Sequence, residues 1–259
     1  MKLSSFITKT RSKERGDRFD LCYKSAYGFC DEVVIIDGRD TWPTEFSWDL
    51  IGQHFQRGYE QATGDWVIHL DADFIIHEND YKRIRKVLEN CSAPAISFYK
   101  YQFIVPHEYN LKSRLVVAVN KKAFGNRIAF NSGGDLCQPS LDGEELRPED
   151  VPESGIAFWN YEKLWKTEAQ IKDDVERMAR AWTRYFKNTT LGDTETAYGE
   201  WLKMVIGRYQ NKPQTPVSLS DHPKIMQTEL FFKPEQFGYN GLNNFMENAY
   251  HAQYLSRHR

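Results

Sequence analysis

Short apolar runs broken by polar turns set the pattern of the chain's first half. Leu3 to Thr8, Glu32 to Asp37 and Trp66 to Leu70 are rich in β-branched and aromatic residues and bounded by charged residues and glycine, so each reads as a buried strand. Between them, Phe19 to Phe29 reads as a short helix, and Phe46 to Ala62 carries helical spacing in Leu50, Ile51, Phe55 and Tyr59. This alternation predicts a βαβ opening with parallel strands. Further on, the pattern predicts a helix from about Asn79 to Asn90, strands over Ala95 to Val105 and Arg114 to Asn120, and short strands at Arg127 to Phe130 and Gly155 to Tyr161. The Gly-, Pro- and acid-rich part from Asn131 to Ser154 reads as one long loop. The longest helix is expected from Glu162 to Phe186, its stripe of Ile171, Val175, Met178, Trp182 and Tyr185 packing on the sheet or a neighbouring helix, and a further helix from Thr194 to Tyr209. The tail from Asn211 onward fits no element.

The run Trp66-Val67-Ile68-His69-Leu70 ends abruptly in Asp71-Ala72-Asp73, and the strand before it ends in Asp37. Ligands of open α/β sheets bind beyond the carboxyl ends of the strands, so these acids stand where chemistry is done. Two ionised carboxylates so close repel unless a cation or proton intervenes, and oxygen-only ligands favour Mg²⁺ or Mn²⁺. A lone D-x-D also fits a solvated turn. Its place after a buried run, beside a second strand ending in an acid, sets this one apart.

The strand Ser4-Ser5-Phe6-Ile7, the segment Asp31-Glu32-Val33-Val34-Ile35-Ile36-Asp37-Gly38 and the segment from Arg57-Gly58-Tyr59 through Gly64-Asp65 to Leu70-Asp71-Ala72-Asp73 together resemble the GT-A fold glycosyltransferases, family 2 in particular. The match covers the first third of the chain well and the rest loosely. It implies an α/β fold with a Rossmann-like, mixed and mostly parallel sheet flanked by helices, and a helical C-terminal extension. The core would span residues 1–161, with 162–259 packed on it. It implies a nucleoside-diphosphate sugar as donor, a divalent metal, Mn²⁺ or Mg²⁺, and a glycan or other hydroxyl-bearing acceptor, in a hexosyltransferase-like reaction with inversion. On that likeness Asp37 holds the nucleoside, Asp71 contacts ribose or metal, and Asp73 is the principal metal ligand.

The other site residues follow from position. Thr8 and Lys9 end the first strand and are expected at the donor. Arg11, Lys13, Arg15 and Arg57 could offset diphosphate charge, although a solvated loop or helix surface explains each singly; Arg57 is retained as a donor-binding residue. An inverting transfer needs a base, and Asp135 in Asn131-Ser132-Gly133-Gly134-Asp135 is the first choice, ahead of Glu144 and Glu145. Relatives often carry a His-Tyr-Gly-type segment before a long helix, whose His can complete the metal site. Here the segment reads Phe158-Trp159-Asn160-Tyr161, so the third ligand is unassigned; Asn160 could offer an oxygen, but a structural role is preferred. His69 is read as an interior residue, and His222 could reach the site from the tail.

A haloacid dehalogenase-type phosphatase also places D-x-D after an apolar strand, normally the first, which disfavours it here. A non-catalytic nucleotide- or glycan-binding module on the same fold is the other alternative. An EF-hand is excluded, because Ile75 occupies a ligand position.

Composition narrows partners more than chemistry. A net charge of −2 gives no reason to expect a nucleic-acid partner. No window approaches a membrane span, and the N-terminal apolar run is too short for a signal peptide. Cys22, Cys30, Cys91 and Cys137 lack zinc-ligand spacing and read as free thiols, which points to a reducing, cytoplasmic setting. The sequence is silent on oligomeric state.

Overall fold

Strand β1 (Leu3–Lys9) lies between β2 (Glu32–Asp37) and β3 (Trp66–Leu70), parallel to both, in a computed structural model that describes residues 1–38, 47–130, 138–187, 191–211 and 214–230. The sheet continues through β6 (Glu108–Val119), β5 (Ala95–Val105) and β10 (Glu153–Asn160) to β4 (Phe74–Ile76), while β11 (Thr215–Pro216) pairs with the start of β6. Strands β6 and β4 run against the other six. The expected α/β fold with a mixed, mostly parallel sheet is therefore present. Three two-residue strands, β7 (Ile128–Ala129), β8 (Ser140–Leu141) and β9 (Glu144–Glu145), form a separate small sheet, so the stretch expected as one long loop contains a hairpin.

Alternation along the strands sends side chains to two helical layers. Leu3 and Ile7 of β1, with Trp66, Ile68 and Leu70 of β3, pack on α2 (Phe19–Phe29) and α4 (Tyr81–Glu89). Phe6 and Val67 face Ile51, Phe55 and Tyr59 of α3 (Trp48–Gln61) instead. Helix α3 approaches β1 so closely at Gly58 that a Cβ there would collide with the Phe6 ring. Short helices α1 (Ser12–Arg15) and α5 (Lys121–Phe124) lie in connecting loops, and α9 (Lys224–Gln227) contributes Met226 to the α2 side of the core.

The single long helix expected over residues 162–186 is two: α6 (Glu162–Trp165) and α7 (Glu168–Phe186), separated by extended backbone at Lys166. Thr167 and Gln170 form a capping box that starts α7 afresh. Ile171 and Val175 of α7 pack against Ala197, Trp201 and Val205 of α8 (Ala197–Asn211). No described helix is long and apolar enough to cross a membrane.

The path between β3 and β4 shapes the carboxyl end of the sheet. These strands lie four places apart in the order, roughly 19 Å in a flat sheet at ~4.8 Å per strand. Leu70 and Phe74 are joined by only four Cα steps, at most about 15 Å. Phe74 N–H donates to the Asp71 carbonyl, a turn that shortens the reach further. The sheet therefore curls until its far edge meets the end of β3, and Asp71 and Asp73 sit in the join.

Candidate active site

Three parallel strands end together at this rim. Lys9 and Asp37 are register partners on β1 and β2, with Nζ 3.3 Å from Oδ2, and Lys9 Nζ also lies 5.0 Å from the centre of the Phe19 ring. Thr8, half-buried, stands one residue back, opposite Ile36. Asp71 follows β3 directly, its side chain 44% exposed, and its carbonyl accepts from Cys22 Sγ at 3.1 Å. The rim thus brings together Thr8, Lys9, Asp37, Asp71 and Asp73.

Arg57 is not brought to this group. It is exposed on α3, whose C-terminal end reaches the opposite end of the sheet, where Thr63 meets Glu32 at the start of β2. Arg11 and Lys13 are exposed on the loop after β1, while Arg15 turns inward to Asp174. Glu144 and Glu145 are exposed on β9. Asp135 lies outside the described residues.

Pairing of β4 with β10 puts Asn160 opposite Phe74, and Asn160 Nδ2 donates to Asp73 Oδ2. The Asp73 carboxyl is pushed up to about 8, by burial first and then by the negative charge of Glu162, Asp71 and Asp17, with Lys166 pulling the other way. Among the described residues no cation forms an ion pair with Asp73, although Lys166 and Arg15 act on it. His69, buried against Phe55 at 3.8 Å between ring centres, has its pKa lowered by burial, with Asp71 pulling the other way. Its Nε2 lies 3.4 Å from Asp71 Oδ1 without making a hydrogen bond. The interior reading of His69 holds, and His222 is likewise structural: buried, it accepts from or donates to Tyr161 Oη at 2.8 Å and meets the Pro106 carbonyl at 2.7 Å.

Behind Asp73 lies an ion cluster that no motif announced. Lys166, 0% exposed, places Nζ 3.0 Å from Asp17, 3.0 Å from Glu162 and 2.6 Å from Asp174. Lys163 adds a second contact to Glu162 at 2.8 Å, and Arg177 meets Asp174 at 2.7 Å. Burial lowers the Lys166 pKa, but Glu162, Asp17 and Asp174 outweigh it and raise the pKa overall. The cluster joins the loop after β1 to α6 and α7. The one sequence signal was the spacing of Glu162 and Lys166, which on a continuous helix reads as an ordinary surface pair.

The donor set suits a hard cation. Asp71 and Asp73 supply carboxylate oxygens, and the buried Oδ1 of Asn160, on the side chain touching Asp73, has no partner. No group of three or more His, Cys, Asp or Glu able to hold a metal occurs among the described residues. Cys22, Cys30 and Cys91 are free thiols.

No known family model matches the chain, and no curated protein does. Among solved structures it is similar to S. aureus TarS 1-349, at 11% identity and a TM-score of 0.37, covering 81% of this chain and 80% of that one. It is also similar to a glycosyltransferase involved in the glycosylation of the major capsid of PBCV-1, at 14% identity and a TM-score of 0.27, covering 48% of this chain and 61% of that one.

Proposed function

We propose that this chain is a metal-dependent glycosyltransferase that moves a sugar from a nucleoside diphosphate to an acceptor hydroxyl, with inversion. The observation that carries the reading is the rim itself: Asp71 and Asp73 in the β3–β4 join, at the same strand ends as the Lys9–Asp37 pair, with no ion pair to Asp73 among the described residues. A metal diphosphate would supply a positive partner there.

In this reading Asp71 and Asp73 would hold the divalent cation, which would supply positive charge to the diphosphate and to the leaving group. Asp37 would orient the nucleoside, and Lys9, paired with Asp37, would offset negative charge at the same strand ends. Thr8 offers a hydroxyl at the same strand end. Lys166 and its carboxylates fix the loop after β1 against α6, which keeps the wall beside Asp73 rigid. The acceptor's proton is assigned to Asp135, as the Gly-Gly-Asp segment suggests.

The test is a melting-temperature screen of nucleoside diphosphates and their sugars, with and without Mn²⁺ or Mg²⁺. A nucleotide that raises Tm only with the metal present is expected. No metal-dependent shift with any nucleotide would sink the reading.

A further inference from the structure

We propose that Asn160 is a metal ligand as well as a support for Asp73, offering Oδ1 to the cation that Asp71 and Asp73 hold and making the site all-oxygen and selective for Mn²⁺ or Mg²⁺ over Zn²⁺. The proposal rests on the glycosyltransferase reading only in taking a cation to be bound at this rim. Asn160 is 4% exposed, at the end of β10, and its Nδ2 is spent on Asp73. Its Oδ1 is buried with no donor. Such an orphan acceptor carries an uncompensated desolvation cost, which a native partner would offset.

The chain's own cations near Asp73, Lys166 and Arg15, act on it without forming an ion pair with it among the described residues, and their ion pairs go to other carboxylates. Lys166 serves Asp17, Glu162 and Asp174; Lys163 serves Glu162; Arg15 and Arg177 meet Asp174. With the amide turned over, Oδ1 would face Asp73 Oδ2, a contact that a proton on Asp73 or a cation reconciles, and Nδ2 would lose its partner. In the observed orientation Oδ1 is the atom left to take a partner from outside the chain.

The choice of an amide also has a charge argument. Glu162, Asp71 and Asp17 already put negative charge near Asp73, so a further carboxylate would add repulsion in the metal-free protein. An amide adds an oxygen without a charge. Hard oxygen donors suit Mg²⁺ and Mn²⁺, while imidazole in the same place favours Zn²⁺.

Mn²⁺ binding to the full chain, read from the EPR signal of free Mn²⁺, tests this in wild type, Asp73→Asn, Asn160→Leu, Asn160→Asp and Asn160→His, with circular dichroism confirming the fold. Asn160→Leu should weaken Mn²⁺ about 10-fold or more. Asn160→Asp, which keeps the oxygen and loses the donor, should retain Mn²⁺ binding. Asn160→His should shift competition towards Zn²⁺. If the Leu variant fails to fold, the Asp and His variants carry the test. Mn²⁺ binding that needs Asp73 but survives in Asn160→Leu overturns the ligand role and leaves the metal reading standing. Loss in Asn160→Asp as complete as in Asn160→Leu reduces Asn160 to a hydrogen-bond donor that positions Asp73, which also overturns it. Wild type that binds no Mn²⁺ overturns both readings together.

Discussion

The two ends of the parallel strands treat their carboxylates in opposite ways. At the amino end, Glu32 accepts from the Ser4 hydroxyl and from both the N–H and hydroxyl of Thr63, Asp31 accepts from Leu3 N–H and Arg85, and Asp65 accepts from Lys2 N–H. These acids tie strand starts and loops together. At the carboxyl end, Asp73 accepts from the Asn160 amide, and burial together with a crowd of like charges pushes its carboxyl up to about 8. Acids saturated with donors build the fold, while in the proposed reading the acid left short of them is the one that takes an external cation.

The sharpest break in that comparison is Asp73→Asn. Because the side chain's role is charge, donor hydrolysis in the presence of Mn²⁺ should fall on the order of 100-fold or more. The fold should survive. An acid whose folded pKa is raised favours the folded state below that pKa and loses the advantage as pH rises from the ordinary carboxylate range through about 8. The Asn variant has no such loss, so above that pH its metal-free Tm should exceed wild type's. An active variant, or one that unfolds at every pH, would show that Asp73 belongs with the structural acids.

Lys166→Met tests the cluster behind the rim. Removing this buried cation leaves Asp17, Glu162 and Asp174 facing one another with only the neighbouring lysine and arginines to offset them. A loss of about 3–5 kcal/mol is expected, read by urea unfolding at neutral pH. A change under about 1 kcal/mol would mean that water or the remaining cations suffice at this end, as for ordinary exposed ion pairs.

What the sequence disclosed and what it hid divide along the same line. The strands β1, β2 and β3, the helices between them and the positions of Asp37, Asp71 and Asp73 are local matters of period and punctuation, and they were legible. The break at Lys166 was local too, since Thr167-Glu168-Ala169-Gln170 is a capping-box pattern, but the apolar stripe that follows masked it. The pairing of β4 with β10 was not legible. It joins residues far apart in sequence, and it alone sets Asn160 against Asp73 and curls the sheet. Lys166 was hidden for the same reason: its partners Asp17 and Asp174 come from separate elements, and nothing near Lys166 in sequence marks it as buried.

Glu32→Gln probes the opposite end, with the smallest effect and the clearest dependence on pH. Burial works to raise the Glu32 carboxyl, but the hydrogen bonds from Ser4 and Thr63, with Lys2 nearby, overcome it and hold the pKa at about 2. A depressed folded pKa contributes stability that is complete above the unfolded carboxylate range and disappears as pH falls through about 2. The side chain is 26% exposed, so charged hydrogen bonds of about 2 kcal/mol set the expected scale. The Gln variant should therefore be less stable than wild type by about that amount at neutral pH, with the gap closing as acid protonates Glu32. Equal stability at pH 7 would mean that Ser4 and Thr63 find water as good a partner as Glu32. A gap that persists in acid would assign the loss to packing at the start of β2 and not to charge.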